Sequence, residues 1–303
     1  MSEVTRAENA PAADSREVPE QMLGAILMAL PELARHHARG SKAYKVLDIA
    51  ARQSVAALFG PGQARPVPFG PFGEILFPYR SMGAVDSLDL FGLDELIIFS
   101  FYWANRNRYR KVADIGANIG LHSLVMARCG FEVTSFEPDP RHIEILNENL
   151  RANGVESVKL IPSAVSDKAG SATFIRVVGN TTGSHLAGAK SNPYGELDKF
   201  DVSLVPFTDI IAQVDFAKVD AEGHEVVILT SVRPEQWDCV DVMVEIGTEE
   251  NAKLIFDYAA GAGVNIFTQK TGWARAASVA DLPTSYKEGS AFLTRKSAMP
   301  GLG

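Results

Sequence analysis

The stretch Val112-Ala113-Asp114-Ile115-Gly116-Ala117-Asn118-Ile119-Gly120 decides the fold. Apolar residues flank Asp114 as in a buried parallel strand, and the glycines after it let the backbone turn sharply and approach a ligand with no Cβ in the way. An apolar strand ending in Asp and then Gly-x-Asn-x-Gly makes a floor for a nucleoside-sized ligand. From Leu121 to Gly130 the chain reads as a helix.

A second strand, Glu132 to Phe136, ends in Glu137-Pro138-Asp139-Pro140. A carboxylate at the tip of the strand beside a glycine-rich turn is placed to accept both ribose hydroxyls of a bound nucleoside. Glu137 is that residue. The pattern continues with a helix from Arg141 to Ala152 and a strand from Val158 to Ile161. Alternation of this kind demands a parallel sheet with crossover helices. Beyond it the reading gives extended pieces at Ala172 to Val177 and Val202 to Val205, strands at Phe216 to Val219, Val240 to Glu245, Asn265 to Thr268 and Ala291 to Thr294, and helices at His224 to Thr230 and Asn251 to Ala260. The polar, glycine-containing stretch from Gly179 to Tyr194 is expected to be a flexible loop.

Upstream, residues to about Val18 lack apolar periodicity and are expected to be a disordered tail. Leu23, Ile26, Leu27, Leu30, Leu33 and Ala34 recur at helical spacing, as do Tyr44, Leu47, Ala51, Val55 and Leu58 after the Gly40-Ser41 break, which predicts two amphipathic helices. Pro31 should kink or split the first. These helices read as a cap on the core or on a second subunit, and so offer a face for a homodimer contact. Gly60 to Pro78 is a Pro- and Gly-rich loop, and Leu88 to Trp103 reads as a buried helix. The expected division is a tail over 1–18, a helical extension and linker over 19–110, and a catalytic domain over 111–303.

Composition bounds the partners. With 303 residues, of which 46% are apolar, the chain can bury one large α/β core and a smaller appendage. A net charge of −8 argues against nucleic acid, whose binding rests on clustered Lys and Arg. Two cysteines, Cys129 and Cys239, have neither metal-ligand spacing nor a disulfide framework, as expected in a reducing cytoplasm. No secretory leader is legible, and no apolar run approaches the roughly 18 residues of a membrane span.

The chemistry should gather where strands end. Phe216 to Val219 runs into Asp220-Ala221-Glu222-Gly223-His224-Glu225, and the neighbouring strand ends in Glu245. Ligands of open α/β sheets bind beyond such ends, and crowded carboxylates there can accept a proton, hold a cation or grip an amino group. Glu222 and Glu225 also suit a helix N-terminus for purely structural reasons. His185, in the predicted loop, and His224 are rival bases near neutral pH. His122 reads as a core or ligand-shell residue, and His36 and His37 as surface positions. The turn Pro162-Ser163-Ala164-Val165-Ser166-Asp167 offers small side chains on which an adenine ring would lie.

Five motifs in this order and spacing, Val112 to Gly120, Phe136 to Pro140, Ser163 to Asp167, Lys218 to Glu225 and Val244 to Gly247, resemble the FkbM-type methyltransferase family, a branch of the class I S-adenosylmethionine-dependent enzymes. The resemblance spans roughly Val112 to Thr268. It implies a Rossmann-like α/β fold, with a seven-stranded and mostly parallel sheet, one antiparallel strand and helices on both faces; the N-terminal helical extension read from periodicity lies outside the match. It also implies O-methylation of a hydroxyl on a sugar, glycan or natural-product scaffold. By carry-over, Asp114, Gly116, Ala117, Asn118, Gly120, Glu137 and Pro138 would hold the S-adenosylmethionine, with Ser163 and Ala164 at the adenine and Asp220 near the reactive methyl.

Methyl transfer is an in-line displacement, so the protein mainly aligns the acceptor oxygen and excludes water. Asp220 or Glu222 is the expected proton acceptor, with His185 and His224 as rivals. A divalent ion bridged by Asp220 and Glu245 would lower the hydroxyl pKa instead. The opposing reading is an NAD-type oxidoreductase, whose Gly-x-Gly-x-x-Gly fingerprint would need glycine where Asn118 stands. A third is a non-catalytic scaffold that keeps only the fold.

Overall fold

Pro31 has no N–H to continue a helix, and the first periodic run splits there as predicted: helix Glu17–Ala29 (α1) passes into the 3-10 stretch Leu30–His36. The computed structural model describes residues 16–189 and 195–301. Glu17 and Val18 are therefore helical, which corrects that end of the expected tail, and residues 1–15 of it lie outside the described residues.

Ser41 starts the second helix, Lys42–Phe59 (α2), with its Oγ accepting the Tyr44 N–H at 3.0 Å. Ser41→Ala is expected to cost about 1 kcal/mol, seen as a lower thermal midpoint. An unchanged midpoint would mean that the packing of Tyr44 alone sets the helix start.

A short hairpin, Val67–Pro68 (β1) and Glu74–Ile75 (β2), leads to helix Leu93–Ala104 (α3). That helix begins later than the predicted Leu88, because a 3-10 turn, Asp89–Phe91, and the extended Gly92 precede it. Asp94 of α3 ties the N-terminal region down: it accepts from Arg39, from the Tyr44 hydroxyl at 2.8 Å and from the Gln269 amide at 2.5 Å. His37, expected at the surface, is buried. Its Nε2 meets the Leu30 carbonyl at 2.9 Å, and its Nδ1 accepts from Trp273 Nε1 at 2.9 Å.

The predicted alternation follows as Lys111–Ile115 (β3), Leu121–Arg128 (α4), Glu132–Phe136 (β4), Pro140–Ala152 (α5) and Lys159–Ile161 (β5). A wing comes next: Ala164–Ser166 (β6), Gly170–Val177 (β7), His185–Leu186 (β8) and Leu197–Pro206 (β9), which form a four-stranded sheet in the order β6-β9-β7-β8. The chain then returns to the core through Phe207–Ile211 (α6), Phe216–Val219 (β10), Glu225–Thr230 (α7), Asp241–Glu245 (β11), Glu249–Ala262 (α8), Asn265–Thr268 (β12), Ala274–Arg275 (β13) and Ser290–Thr294 (β14).

The main sheet has eight strands, in the order β13-β12-β14-β11-β10-β3-β4-β5. Pairing is parallel from β5 to β11, while β14 runs antiparallel to both neighbours and β13 antiparallel to β12. The expected seven strands are thus joined by a two-residue edge strand, β13, which carries no apolar period to announce it.

Alternation along the strands sorts the two layers. Val112, Phe216, Met243 and Phe292 face α3, α4 and the N-terminal helices in one apolar cluster, so the extension shares a core with the sheet. Ala113, Ile115, Ala217, Val219, Val242 and Val244 face α6, α7 and α8 in the other. Val18, Met22, Met28, Val46 and Ile49 of α1 and α2 stay exposed, whereas the periodic residues on which the cap and homodimer expectation rests, Leu23, Ile26, Leu27, Leu30, Ala51, Val55 and Leu58, are buried in that shared core. No helix among the described residues is long and apolar enough to cross a membrane. Both cysteines are free, Cys129 buried and Cys239 exposed.

Candidate active site

The tips of β3 and β10 touch through backbone. Asp220 N–H donates to the Ile115 carbonyl at 3.0 Å, and a Cβ on Gly116 would fall 1.8 Å from the Asp220 carbonyl oxygen. With φ at +75°, position 116 admits only glycine. Asn118 also takes positive φ, at +51°, a region Asn tolerates. Gly116→Ala is expected to part these tips and to abolish binding of S-adenosylhomocysteine together with a fall in thermal stability. Normal binding would show that the floor is not set by this contact.

The turn presents its amides to the next strand. Asn118 N–H donates to Glu137 Oε2 at 2.8 Å, and Asp139 N–H to Oε1 at 2.9 Å. Burial pushes the Glu137 carboxyl up to about 8; the two amide bonds oppose this, and nearby Asp139 and Asp114 add to it.

Above the floor lies a cleft of about 930 Å³, counting the part open to solvent. Gly116, Asn118, Glu137, Asp220 and Glu222 form its charged and polar base, and Phe136, Ser163, Ala164 and Val165 one side. The wing contributes Phe174, Thr181, Thr182 and His185, and the N-terminal segment Val85, Asp89 and Leu90. Backbone hydrogen bonds join these last two walls: Thr181 N–H to Met82 O at 3.1 Å and Ala84 N–H to Gly179 O at 2.6 Å.

His185 therefore sits otherwise than predicted. It is not on a flexible loop but on β8, opposite Ile175 of β7, and is only 1% exposed, with Nδ1 held 3.0 Å from the Gly183 carbonyl. The part of the predicted loop over 190–194 lies outside the described residues. His224 also lines the cleft, with Nε2 meeting Ser166 Oγ at 2.9 Å. Burial lowers its pKa, against the pull of Asp167. Glu222 lines the base from a strained φ of +50°. Glu225, by contrast, is fully buried and turned back on its own loop, where it accepts the N–H groups of Ala221 and Gly223 at 3.0 Å. Its role is structural.

Asp114 lies beneath the floor and not on the cleft wall. Side-chain alternation sends it into the α3–α4 layer, where it is fully buried, accepts the Ser123 hydroxyl at 2.6 Å and stands in register with Lys218. Ala117 and Gly120 likewise shape the turn without lining the cleft; a Cβ on Gly120 would meet Leu146 at 2.7 Å. Lys218 is the residue that sequence reasoning passed over. It is buried and donates to Asp220 Oδ2 at 3.1 Å. Burial disfavours its charge, but Asp220, Asp114, Glu95 and Glu245 together raise its pKa. Glu95 of α3 meets His122 Nε2 at 2.8 Å, and His122 Nδ1 meets the buried Tyr102 hydroxyl at 2.9 Å. The signal was there: Lys218 inside the apolar run of β10, and the acidic pair Asp94 and Glu95 opening the apolar run of α3.

Glu245 is pushed well up by burial and by Asp220 and Glu95. Among the described residues no group of three or more His, Cys, Asp or Glu is arranged to hold a metal ion.

Residues 114–257 match the family model of the methyltransferase FkbM domain. The match runs from β3 into α8. Methyltransferase sdnD of Sordaria araneosa is 30% identical over 171 residues, an alignment covering 44% of this chain and 65% of that protein. The chain thus spans just under two thirds of that relative's length. Methyltransferase 1 of Beauveria bassiana is 26% identical over 192 residues, covering 54% of this chain and 75% of its own. Among solved structures, a SAM-dependent methyltransferase from Agrobacterium tumefaciens superposes with a TM-score of 0.39 at 14% identity, covering 78% of this chain and 71% of its own.

The FkbM cofactor, S-adenosylmethionine, fits the residues present. Asn118 Oδ1 and Asp220 Oδ1 are buried oxygens with no hydrogen-bond partner, as acceptors awaiting a ligand's donors would be. The cleft is lined by the carboxyl groups of Asp89, Glu137, Asp220 and Glu222 and, among the described residues, by no Lys or Arg, which suits a ligand that carries a sulfonium and an ammonium. Gly116 lets that ligand approach the backbone itself.

Proposed function

We propose that the chain is an S-adenosylmethionine-dependent O-methyltransferase acting on a hydroxyl of a small molecule, sugar or glycan. The observation that carries this reading is Glu137, a buried carboxylate at a strand tip, already aligned by two backbone amides and facing an acidic cleft. Glu137 receives the ribose hydroxyls. Phe136 and the turn at Ser163 and Ala164 take the adenine, and Asn118 and Asp220 take the amino-acid end.

When bound, the cofactor supplies an electrophilic methyl group and a neutral thioether leaving group. What remains for the protein is to orient an acceptor oxygen and to accept its proton. Asp220 or Glu222 serves as proton acceptor from the base of the cleft. His185 and His224 stand within the same walls, and His224 is kept neutral by burial, as a base must be before it acts. The wing and the segment around Val85 and Leu90 exclude water. In this reading residues 111–303 form the catalytic part, and 19–110 brace and roof it.

Calorimetry with S-adenosylmethionine and with NAD tests the cofactor: binding of the first alone is expected, and binding of NAD alone would overturn the reading. Incubating the enzyme and a deuterated methyl donor with cell extract, followed by mass spectrometry, tests the transfer. Label on a hydroxyl of a small molecule, sugar or glycan supports the acceptor class, whereas label on a carbon or a nitrogen redirects it.

A further inference from the structure

We propose that Arg176 is a positioning residue for the cofactor's ribose, acting through Asp139 to hold the turn that carries Glu137. The inference rests on the cofactor reading above. Asp139 does three things at once. Its N–H aligns Glu137 Oε1 at 2.9 Å, its Oδ1 caps α5 by accepting the Arg141 N–H at 2.8 Å, and both its oxygens accept a fork from Arg176, Nε to Oδ2 at 2.7 Å and Nη2 to Oδ1 at 2.6 Å. Asp139 is wholly buried and Arg176 only 4% exposed. A planar bidentate pair fixes orientation as well as distance.

The guanidinium is itself held from the wing. Its Nη1 donates to Asp198 Oδ2 at 2.6 Å, its register partner on β9, and its plane lies 4.7 Å from the Phe200 ring centroid. Burial pushes the Asp139 carboxyl up, yet the bonds from Arg176, with His142 and the Arg141 amide, leave it below its ordinary range, so the pair stays charged. Ile175, the residue before Arg176, pairs with His185 of the cleft wall. One side chain thus links the ribose carboxylate to the wall on which the acceptor is expected. Arg176→Gln leaves Asp139 without its fork and frees the Glu137 turn to shift.

A purely structural clamp would weaken every ligand alike. A positioning residue acting through Glu137 weakens only what the ribose hydroxyls contribute. The test is calorimetry on the full chain with S-adenosylhomocysteine and with its 2′-deoxy analogue. The unaltered protein is expected to favour the hydroxyl-bearing ligand at least tenfold, and in Arg176→Gln the two should bind within threefold of each other. Asp139→Asn, which keeps a capping side chain for α5, should show the same collapse. Val202→Ala, a truncation in the wing core at a residue that does not itself line the cleft, should lower stability yet keep the discrimination. Arg176→Lys is judged by the same criterion should the glutamine variant not fold. Tenfold discrimination persisting in the Arg176 and Asp139 variants, or its loss in Val202→Ala, overturns the proposal while leaving the cofactor reading intact. No binding of S-adenosylhomocysteine to the unaltered protein sinks both.

Discussion

Replacing Glu137 by alanine is expected to weaken S-adenosylhomocysteine binding by about 10² to 10⁴, since two hydrogen bonds to a charged acceptor are lost at roughly 1.5–3 kcal/mol each. The affinity of the unaltered protein should also depend on pH, with a sign that burial sets. The Glu137 carboxyl is pushed up to about 8, so near neutrality it is mostly protonated in the free protein. Two ribose hydroxyls donate best to the ionised form, so binding lowers the pKa and releases a proton. Affinity should then rise with pH up to about 8, by at most about tenfold per unit, and level off above. For stability the sign is opposite. A carboxyl whose folded pKa lies above its unfolded value contributes stability that is fully present below about 4.5, and that stability is lost as pH rises through about 8. Calorimetry in two buffers of different ionisation enthalpy reads the released proton directly. In Glu137→Gln both the release and the pH slope should vanish; an unchanged slope would assign the titration to another group.

The floor of this site could be read from the chain because its determinants are local. Gly116 and Asn118 need positive φ, Glu137 follows its strand by one residue, and both facts lie within a short run of sequence. The split at Pro31 is local in the same way. What could not be read depends on where distant segments meet. Asp139 and Arg176 are 37 residues apart, and His37 and Trp273 are 236 apart, so neither pairing leaves a mark on periodicity. The polar stretch around His185 looks like a loop because β8 is two residues long and takes its order from β7, not from its own composition. The expectation that Asp114 holds the cofactor comes from the resemblance and not from the strand's own pattern. Period-two alternation instead turns it under the floor toward Lys218, and which face is which is settled only when α3 and α4 pack. The edge strand β13 escaped notice for a like reason: two exposed residues define it.

Asp220→Asn is expected to lower methyl transfer to extract acceptors by about 10² to 10⁴, the usual contribution of a positioned base, while S-adenosylhomocysteine still binds, because the asparagine amide keeps an acceptor oxygen for the ligand's amino-acid end. The variant has a second consequence that must be separated from the first. Lys218 is buried, and its direct partner is Asp220 Oδ2 at 3.1 Å. Removing one member of a buried ion pair typically costs about 3–5 kcal/mol, because the remaining charge is left uncompensated; here Asp114, Glu95 and Glu245 still surround the ammonium and should hold the loss toward the lower end. A fall in activity could then reflect a disturbed strand tip and not a missing base. Lys218→Met, which keeps Asp220 and removes its ion-pair partner, separates the two. If Asp220 accepts the acceptor's proton, transfer falls far more in Asp220→Asn than in Lys218→Met for a comparable loss of thermal midpoint. If Asp220 serves only as the counterion of Lys218, the two variants lose transfer alike, and the base must be sought at Glu222, His185 or His224.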